Sequence, residues 1–159
     1  MIKAIAALDS RRGIANQQGV PWGRKLPEDI QQYHEKLRGA TILMGNVMYS
    51  EMQNPLPECH NLVLTPGPAP LRPGFEKAED LAKLLQQPPK NFWIVGGASV
   101  FEQALPAVSE LHLTQLEGDF SCTKFFPDYK QEFELASESE PHTENDITYR
   151  FQVWKRKAS

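Results

Sequence analysis

The sequence predicts an α/β fold in which a mainly parallel sheet, flanked by helices, ends in antiparallel strands. Three observations carry that expectation. Short apolar runs alternate with helical patterns over the first two thirds of the chain; the last third has strand patterns without helices; and one apolar run passes through a glycine pair straight into a helix.

In chain order, IKAIAAL (2–8) is apolar and bounded by turn signals, which predicts a buried strand. A helix is expected over 27–37, a strand at TILMG (41–45) and a short helix near 47–53. NLVLT (61–65) predicts the next strand and AEDLAKLLQQ (78–87) the next helix. FWIVGG (92–97) and ASVFEQAL (98–105) form the last strand–helix pair, and prolines close both of these later helices. Strands then follow at ELHLTQLEG (110–118), FELASE (133–138) and ITYRFQVWK (147–155). In the last of these, Ile147, Tyr149, Phe151 and Val153 alternate with polar residues, which suits a half-exposed antiparallel edge pair. PGPAPLRPG (66–74) is too short to separate domains of viable size, so it is expected to be a surface loop. The 159 residues are expected to form a single domain, 1–159.

Composition narrows the function classes. At 40% hydrophobic, 23% charged and a net charge of −3, the chain has no long-range attraction for nucleic acid or anionic membrane. A small-molecule partner is the default expectation. MIKAIAAL is too short an apolar run for a signal peptide, and nothing approaches the roughly 20 apolar residues of a membrane span, so a cytoplasmic protein is expected. Cys59 and Cys122 are far apart, and His34, His60, His112 and His142 lack ligand spacing. Neither a metal site nor a disulfide scaffold is expected.

The stretch LPEDIQQYHEKL places two acids at the start of a helix. At about 100° per residue, Leu26, Ile30, Tyr33 and Leu37 fall within roughly 60° of arc, which must face the core. Asp29 lies about 70° from the centre of that stripe and Glu28 about 170° from it. Glu28 therefore points to water, whereas Asp29 sits at the edge of the buried face, with Tyr33 one turn on. First-turn acids commonly do no more than meet the positive end of the helix dipole. Here, however, Pro21-Trp22 precede the helix across a polar, glycine-containing loop suited to covering a ligand. Gly96-Gly97, between strand and helix, could open backbone N–H groups to a phosphate, although tight joints also use glycines for geometry alone. Thr114 falls on the opposite strand face from Leu111 and Leu113.

IAAL, I-A-x-x-x-G-V-P-W, L-P-E-D-I-x-x-Y, I-L-M-G, N-P-L-P, I-V-G-G-A-S-V-F-E-Q-x-L-P, L-x-L-T and F-F-P-D-Y occur in order over essentially the whole chain. Together they resemble the dihydrofolate reductase family. The resemblance implies one domain with about eight strands and about four flanking helices. It further implies NADPH-dependent hydride transfer to C6 of a dihydropterin ring with protonation at N5, on a monomer. NADH is left open as the reductant.

By the same resemblance Asp29 is the catalytic carboxylate. An ionised carboxylate can accept bidentately from the planar pair of N–H donors on a pterin. Thr114 resembles the threonine that hydrogen-bonds it, and Trp22 the tryptophan that closes the site. Ile5, Ala7, Ile30, Tyr33, Met52 and Leu56 match substrate-wall positions. Ala7, Ile14, Val20, Gly45, Asn46, Val47, Met48, Leu64, Thr65, Val95, Gly96, Gly97, Ala98, Ser99, Val100 and Phe101 match cofactor positions, and the loop from Gly13 to Val20 matches the mobile lid.

The chain also departs from the family pattern. Cys59 stands where an arginine usually clamps the substrate's glutamate tail, and cysteine cannot replace a bidentate cation. Asn46 replaces a residue that is commonly basic, Met48 one that is commonly threonine or serine, and Phe101 a frequent tyrosine. Two more residues separate Trp22 from Leu26 than in the shortest members. His60, Lys36 or Arg38 are candidate substitutes at the tail, and Arg72 or Thr65 at the 2′-phosphate. These departures keep two alternatives open: a reductase of a tail-less dihydropterin or a pyrimidine precursor, and a non-catalytic pterin- or nucleotide-binding protein.

Overall fold

The computed structural model describes residues 1–65 and 70–158. The first four residues of the proline-rich stretch, 66–69, lie outside the described residues. Eight strands form one row in the order β10-β11-β7-β1-β6-β3-β4-β5, and a ninth, β9, pairs with β11. The strands are β1 (Ile2–Leu8), β3 (Thr41–Gly45), β4 (His60–Leu64), β5 (Phe75–Ala78), β6 (Phe92–Gly96), β7 (Glu110–Leu116), β9 (Phe133–Glu138), β10 (His142–Glu144) and β11 (Ile147–Arg156). Every pairing from β7 across to β5 is parallel. β11 is antiparallel to β7, β9 and β10. A small second sheet joins β2 (Gly13–Ala15) to β8 (Lys124–Phe125).

The helices are α1 (Pro27–Leu37), α2 (Asn46–Glu51), α3 (Leu81–Gln86) and α4 (Ala98–Ala104), the last followed by a 3-10 turn (Leu105–Ala107). The continuous apolar runs of β3 and β6 are buried because α/β crossovers cover both faces of the parallel sheet. One core cluster joins Leu8, Leu43, Ile94, Val100, Phe101, Leu111 and Phe126. A second, under α1, joins Ile5, Leu37, Ile42, Met44, Trp93 and Val95; a third surrounds Trp22, Leu26, Leu116 and Tyr149.

The structure adds three short strands that the sequence does not predict, β2, β8 and β10, and departs from the expectation at three further places. Residues 75–78 form an edge strand rather than leading into helix α3, which starts only after Asp80; the Asp80 side chain accepts from the Lys83 N–H at 3.1 Å and sets that start. Helix α2 begins at Asn46, directly after Gly45. β11 is not an edge strand, because it is long enough to pair with β7 on one side and with both β10 and β9 on the other. Its register with β7 is continuous, so it keeps its alternation; the shift on the other side, between Val153 and Trp154, leaves Ala136 of β9 without a partner, and Gln152, on the face opposite Phe151 and Val153, is the residue buried there. Gln152 is satisfied by donating to Glu138 at 2.6 Å and accepting from the Trp154 indole at 2.9 Å.

Candidate active site

Helix α1 presents Asp29 to strand β7. Pro27 sits at the start of the helix, where its missing N–H costs nothing. Leu26 offers no side-chain cap; instead the Glu144 carboxylate of β10 accepts from the Glu28 N–H at 3.3 and 3.4 Å. Glu28 is exposed, and its carboxylate lies 3.1 Å from His142 Nδ1. Asp29 is half-buried, and Thr114 Oγ1 donates to its Oδ1 at 2.6 Å. Burial drives the Asp29 carboxyl above its ordinary value; the Thr114 hydrogen bond and the Lys36 charge oppose that rise, and Glu144 adds to it. A half-buried carboxylate with one hydroxyl partner keeps most of its lone pairs for a ligand.

Tyr33, one turn on from Asp29 and facing its charge, belongs with Ile5, Met48, Met52, Leu56 and Val95 to the apolar cluster under α1. Trp22 is 4% exposed and meets Phe120 edge-on at 5.4 Å, with Ala7 packed against the same cluster. Ile30 is half-buried, whereas Val20 is exposed on the loop before Trp22.

A second arrangement lies where β3 and β6 end side by side. Each strand passes through glycine into a helix, α2 after Gly45 and α4 after Gly96-Gly97, and neither helix has a side-chain cap. A Cβ on Gly45 would stand 2.7 Å from Val100 Cγ2, so this joint closes only with glycine. Gly96 has φ +130°, and a Cβ on it would meet Met48 Sδ and Phe101 at 3.4 Å; beside Gly97 the space is open. Uncapped first-turn N–H groups beside open space suit an anionic group such as a phosphate. Asn46, Val47 and Ser99 are exposed here, and Ala98, Leu64 and Thr65 are half-buried. Val100 and Phe101 are each 4% exposed, with Phe101 against Phe126 at 4.8 Å, so their side chains serve the core. Ile14, on β2, packs against that same core.

The cations named as substitutes are all engaged. Lys36 lies 3.1 Å from His112 Nδ1, Arg38 pairs with Glu58 at 3.0 Å, and His60 is 2.5 Å from Glu76. Arg72 stacks on Tyr49 at 4.0 Å and donates to the carbonyls of Tyr49 and Met52, at the end of α2. Cys59 donates to the Leu37 carbonyl at 2.9 Å, and burial raises its thiol.

Two groupings were not singled out from the sequence. Asp9 is 1% exposed and accepts from the N–H groups of Arg11, Gly13 and Phe120 at 2.8–2.9 Å, which ties the loop after β1 to the segment after β7. Its signal was a lone acid closing an apolar strand. The other is Lys36–His112–Glu110; the alternation Glu110, His112, Thr114 along ELHLT places three polar residues on one strand face.

The chain matches the family model described as Dihydrofolate reductase over residues 1–156. It is 27% identical over 164 residues to the dihydrofolate reductase of Bacillus subtilis (strain 168), an alignment covering 100% of this chain and 96% of that one. It is 29% identical over 153 residues to the dihydrofolate reductase of Staphylococcus aureus (strain Mu50 / ATCC 700699), covering 94% of each. A solved structure of dihydrofolate reductase from Enterococcus faecalis, complexed with NADP(H) and RAB-propyl, aligns with a TM-score of 0.87 at 26% identity, covering 99% of this chain and 97% of that one. The sheet order, the helix-borne carboxylate and a family match over nearly the full length lead to one statement: the chain belongs to the dihydrofolate reductase family.

Proposed function

We propose that this chain reduces 7,8-dihydrofolate to 5,6,7,8-tetrahydrofolate with NADPH, reading the substrate mainly through its pterin ring. The Asp29–Thr114 pair at 2.6 Å is the observation that carries the reading. Asp29 accepts the two N–H donors of the ring, which fixes its orientation, and Thr114 holds the carboxylate in place. Trp22, with the loop from Gly13 to Val20, keeps water from the reacting face, and Ile5, Ala7, Ile30, Tyr33, Met52 and Leu56 wall the ring and the group attached to it. NADPH, when bound, supplies the hydride that reaches C6. The proton goes to N5, and the ionised Asp29 favours the positive charge that this proton brings to the ring. Ring and carboxylate then titrate as one pair, so hydride transfer slows as pH rises through the midpoint of that pair.

The two uncapped helix starts suit the cofactor's phosphates, through Gly45, Asn46, Val47 and Met48 on one side and through Gly96, Gly97, Ala98, Ser99 and Val100 on the other; Phe101, whose N–H already donates to the Gly97 carbonyl at 3.0 Å, contributes only its ring edge beside Gly96. Ala7, Ile14, Val20, Leu64, Thr65 and Val95 complete the proposed cofactor contacts. Among the described residues no helix is long and apolar enough to cross a membrane. A single domain spanning 1–159, acting as a cytoplasmic monomer, completes the proposal; the family match over residues 1–156 supports the single domain.

A spectrophotometric assay with dihydrofolate, run in parallel with NADPH and NADH, tests the reading. Substrate-dependent oxidation is expected, faster with NADPH, and its absence with both cofactors sinks the assignment. Cys59 and the engaged state of Lys36, Arg38 and His60 favour weak use of the glutamate tail. A simple dihydropterin should therefore retain kcat/KM within about tenfold of that for dihydrofolate, because little binding free energy is lost with the tail. A loss of a thousandfold would show that the tail is firmly held.

A further inference from the structure

Helix α1 and strand β7 run antiparallel and are joined by two polar rungs. The first is Asp29–Thr114, at 2.6 Å. The second is Lys36 Nζ to His112 Nδ1 at 3.1 Å, continued from His112 Nε2 to Glu110 Oε1 at 2.6 Å. Lys36 follows Asp29 by seven residues, two turns and about 10 Å along the same helix face. His112 precedes Thr114 by two residues, so both point from β7 toward α1.

The chemistry of the second rung fixes its protonation. An ammonium group only donates, so His112 Nδ1 accepts and the ring proton sits on Nε2, aimed at Glu110. Burial, and after it the Lys36 charge, hold the imidazole below its usual range, consistent with a neutral ring. Lys36 is thus a cation held by a neutral acceptor, and Glu110, its countercharge, stands one ring further from the cleft. The Trp93 ring of β6, edge-on to His112 at 4.9 Å, fills the floor beside it.

We propose that Lys36 is a positioning residue for Asp29: anchored to β7 by His112, it supplies the fixed positive charge that stabilises the ionised carboxylate in the cleft. The inference rests on Asp29 as the pterin-binding acid. The other groups facing this pair are Tyr33 on α1, Lys3 on β1, Glu110 and His112 on β7, Glu144 on β10 and Tyr149 on β11. Of the charged ones, Glu144 disfavours ionised Asp29; burial lowers the Lys36 ammonium from its ordinary value, Asp29 and Glu110 oppose that fall, and Lys3 adds to it. At about 10 Å and an effective dielectric of 20–40, a charge of this kind moves a carboxyl by roughly half to one pH unit.

The test is the pH dependence of single-turnover hydride transfer, from NADPH to dihydrofolate, in the wild-type chain, Lys36→Met, Lys36→Gln and Lys36→Arg. Lys36→Gln keeps a donor to His112 without the charge and stands in if Lys36→Met does not fold. The midpoint should rise by roughly half to one pH unit in the Met and Gln variants, with KM within about twofold, and return in Lys36→Arg. A folded Lys36→Gln with an unmoved midpoint overturns the inference. A tenfold rise in KM without a midpoint shift also overturns it, assigning Lys36 to the substrate's own carboxylates. Carbon-13 titration of the Asp29 carboxyl in the unliganded wild-type and Lys36→Gln chains needs no turnover. If the wild type fails to reduce dihydrofolate, the functional reading fails, and the carboxyl midpoint alone decides whether Lys36 acts on Asp29; equal midpoints overturn it.

Discussion

Asp9 and Asp29 are two withdrawn carboxylates with opposite surroundings. Asp9 closes β1 and is filled by three backbone N–H groups, from Arg11, Gly13 and Phe120. Burial pushes its carboxyl up, but the hydrogen bonds from Phe120, Gly13 and Arg11 outweigh that and hold it below its ordinary value. Asp29 has a hydroxyl in place of those three N–H groups, and burial wins, so its carboxyl lies above the ordinary value. A carboxylate saturated by backbone is a structural tie. One left with open lone pairs while partly withdrawn from water is poised to take a ligand's donors.

The sharpest way to break this comparison is to neutralise Asp29. Asp29→Asn preserves volume and removes the charge, and it should lower kcat/KM for dihydrofolate by about a hundredfold or more, or about 3 kcal/mol of transition-state stabilisation. Stability should move the other way. Because the folded carboxyl titrates above the unfolded value of 3.8, ionising it costs stability between those two pH values. The variant should therefore melt roughly 1–3 °C higher at pH 7, with the gain gone below pH 3.8. A melting temperature that falls by several degrees would mean that Asp29 is a structural tie as well.

Asp9→Ala should do the reverse. Orphaning three backbone N–H groups costs about 3 kcal/mol or more, a fall of roughly 6–12 °C in melting temperature for a chain of this size, while the folded fraction keeps kcat within about tenfold. Its linkage also has the opposite sign: the stability Asp9 contributes is present above the unfolded value of 3.8 and is lost as pH falls through the lower folded value. Thermal melts across pH 2–7 of wild type and both variants would show the two trends diverging.

Gly13 sets the geometry of the Asp9 side. A Cβ there would stand 2.4 Å from Cys122 Cβ, 2.7 Å from its Sγ and 2.9 Å from Asp9 Oδ1. Gly13→Ala should cost about 1–3 kcal/mol by overpacking. Adding Cys122→Ala should recover little of it, because Cβ and the Asp9 oxygen remain. Full recovery in the double variant would place the strain in the thiol alone. The thiol itself, pushed up to about 11 by burial and by Asp9, stays protonated at neutral pH.

How legible each half was follows from where its information lies. The parallel half could be read because buried strands are written as continuous apolar runs, and Asp29 could be separated from Glu28 by helical phase alone. The edge strand β5, FEKA, carries two charges in four residues and borrows its pattern from pairing with β4, so nothing local announces it. The short pair β2 and β8 is likewise made by tertiary approach. Asp9 was missed because its partners are backbone N–H groups, which no residue type records. From the sequence Lys36 is only a possible tail contact, since the strand that receives it, through His112, lies 76 residues away.

The finest test concerns the hydroxyl that distinguishes Asp29 from a bare carboxylate. Thr114 is 7% exposed and sits on β7, opposite Ala7 of β1 on one side and Phe151 of β11 on the other. Thr114→Val keeps the shape and deletes the donor, leaving Asp29 even less like Asp9. Because that hydrogen bond holds the carboxyl down against burial, its loss should move the midpoint of hydride transfer to higher pH, the same direction as loss of the Lys36 charge. The less firmly held carboxylate should orient the ring less well, lowering kcat/KM by about tenfold, or about 1.4 kcal/mol. Thr114 touches Asp29 whereas Lys36 acts across two helical turns, so the two variants should separate: Thr114→Val loses turnover at every pH, and Lys36→Gln mainly displaces the profile. A Thr114→Val profile displaced to lower pH would mean that the hydroxyl accepts from a protonated Asp29 rather than donating to an ionised one.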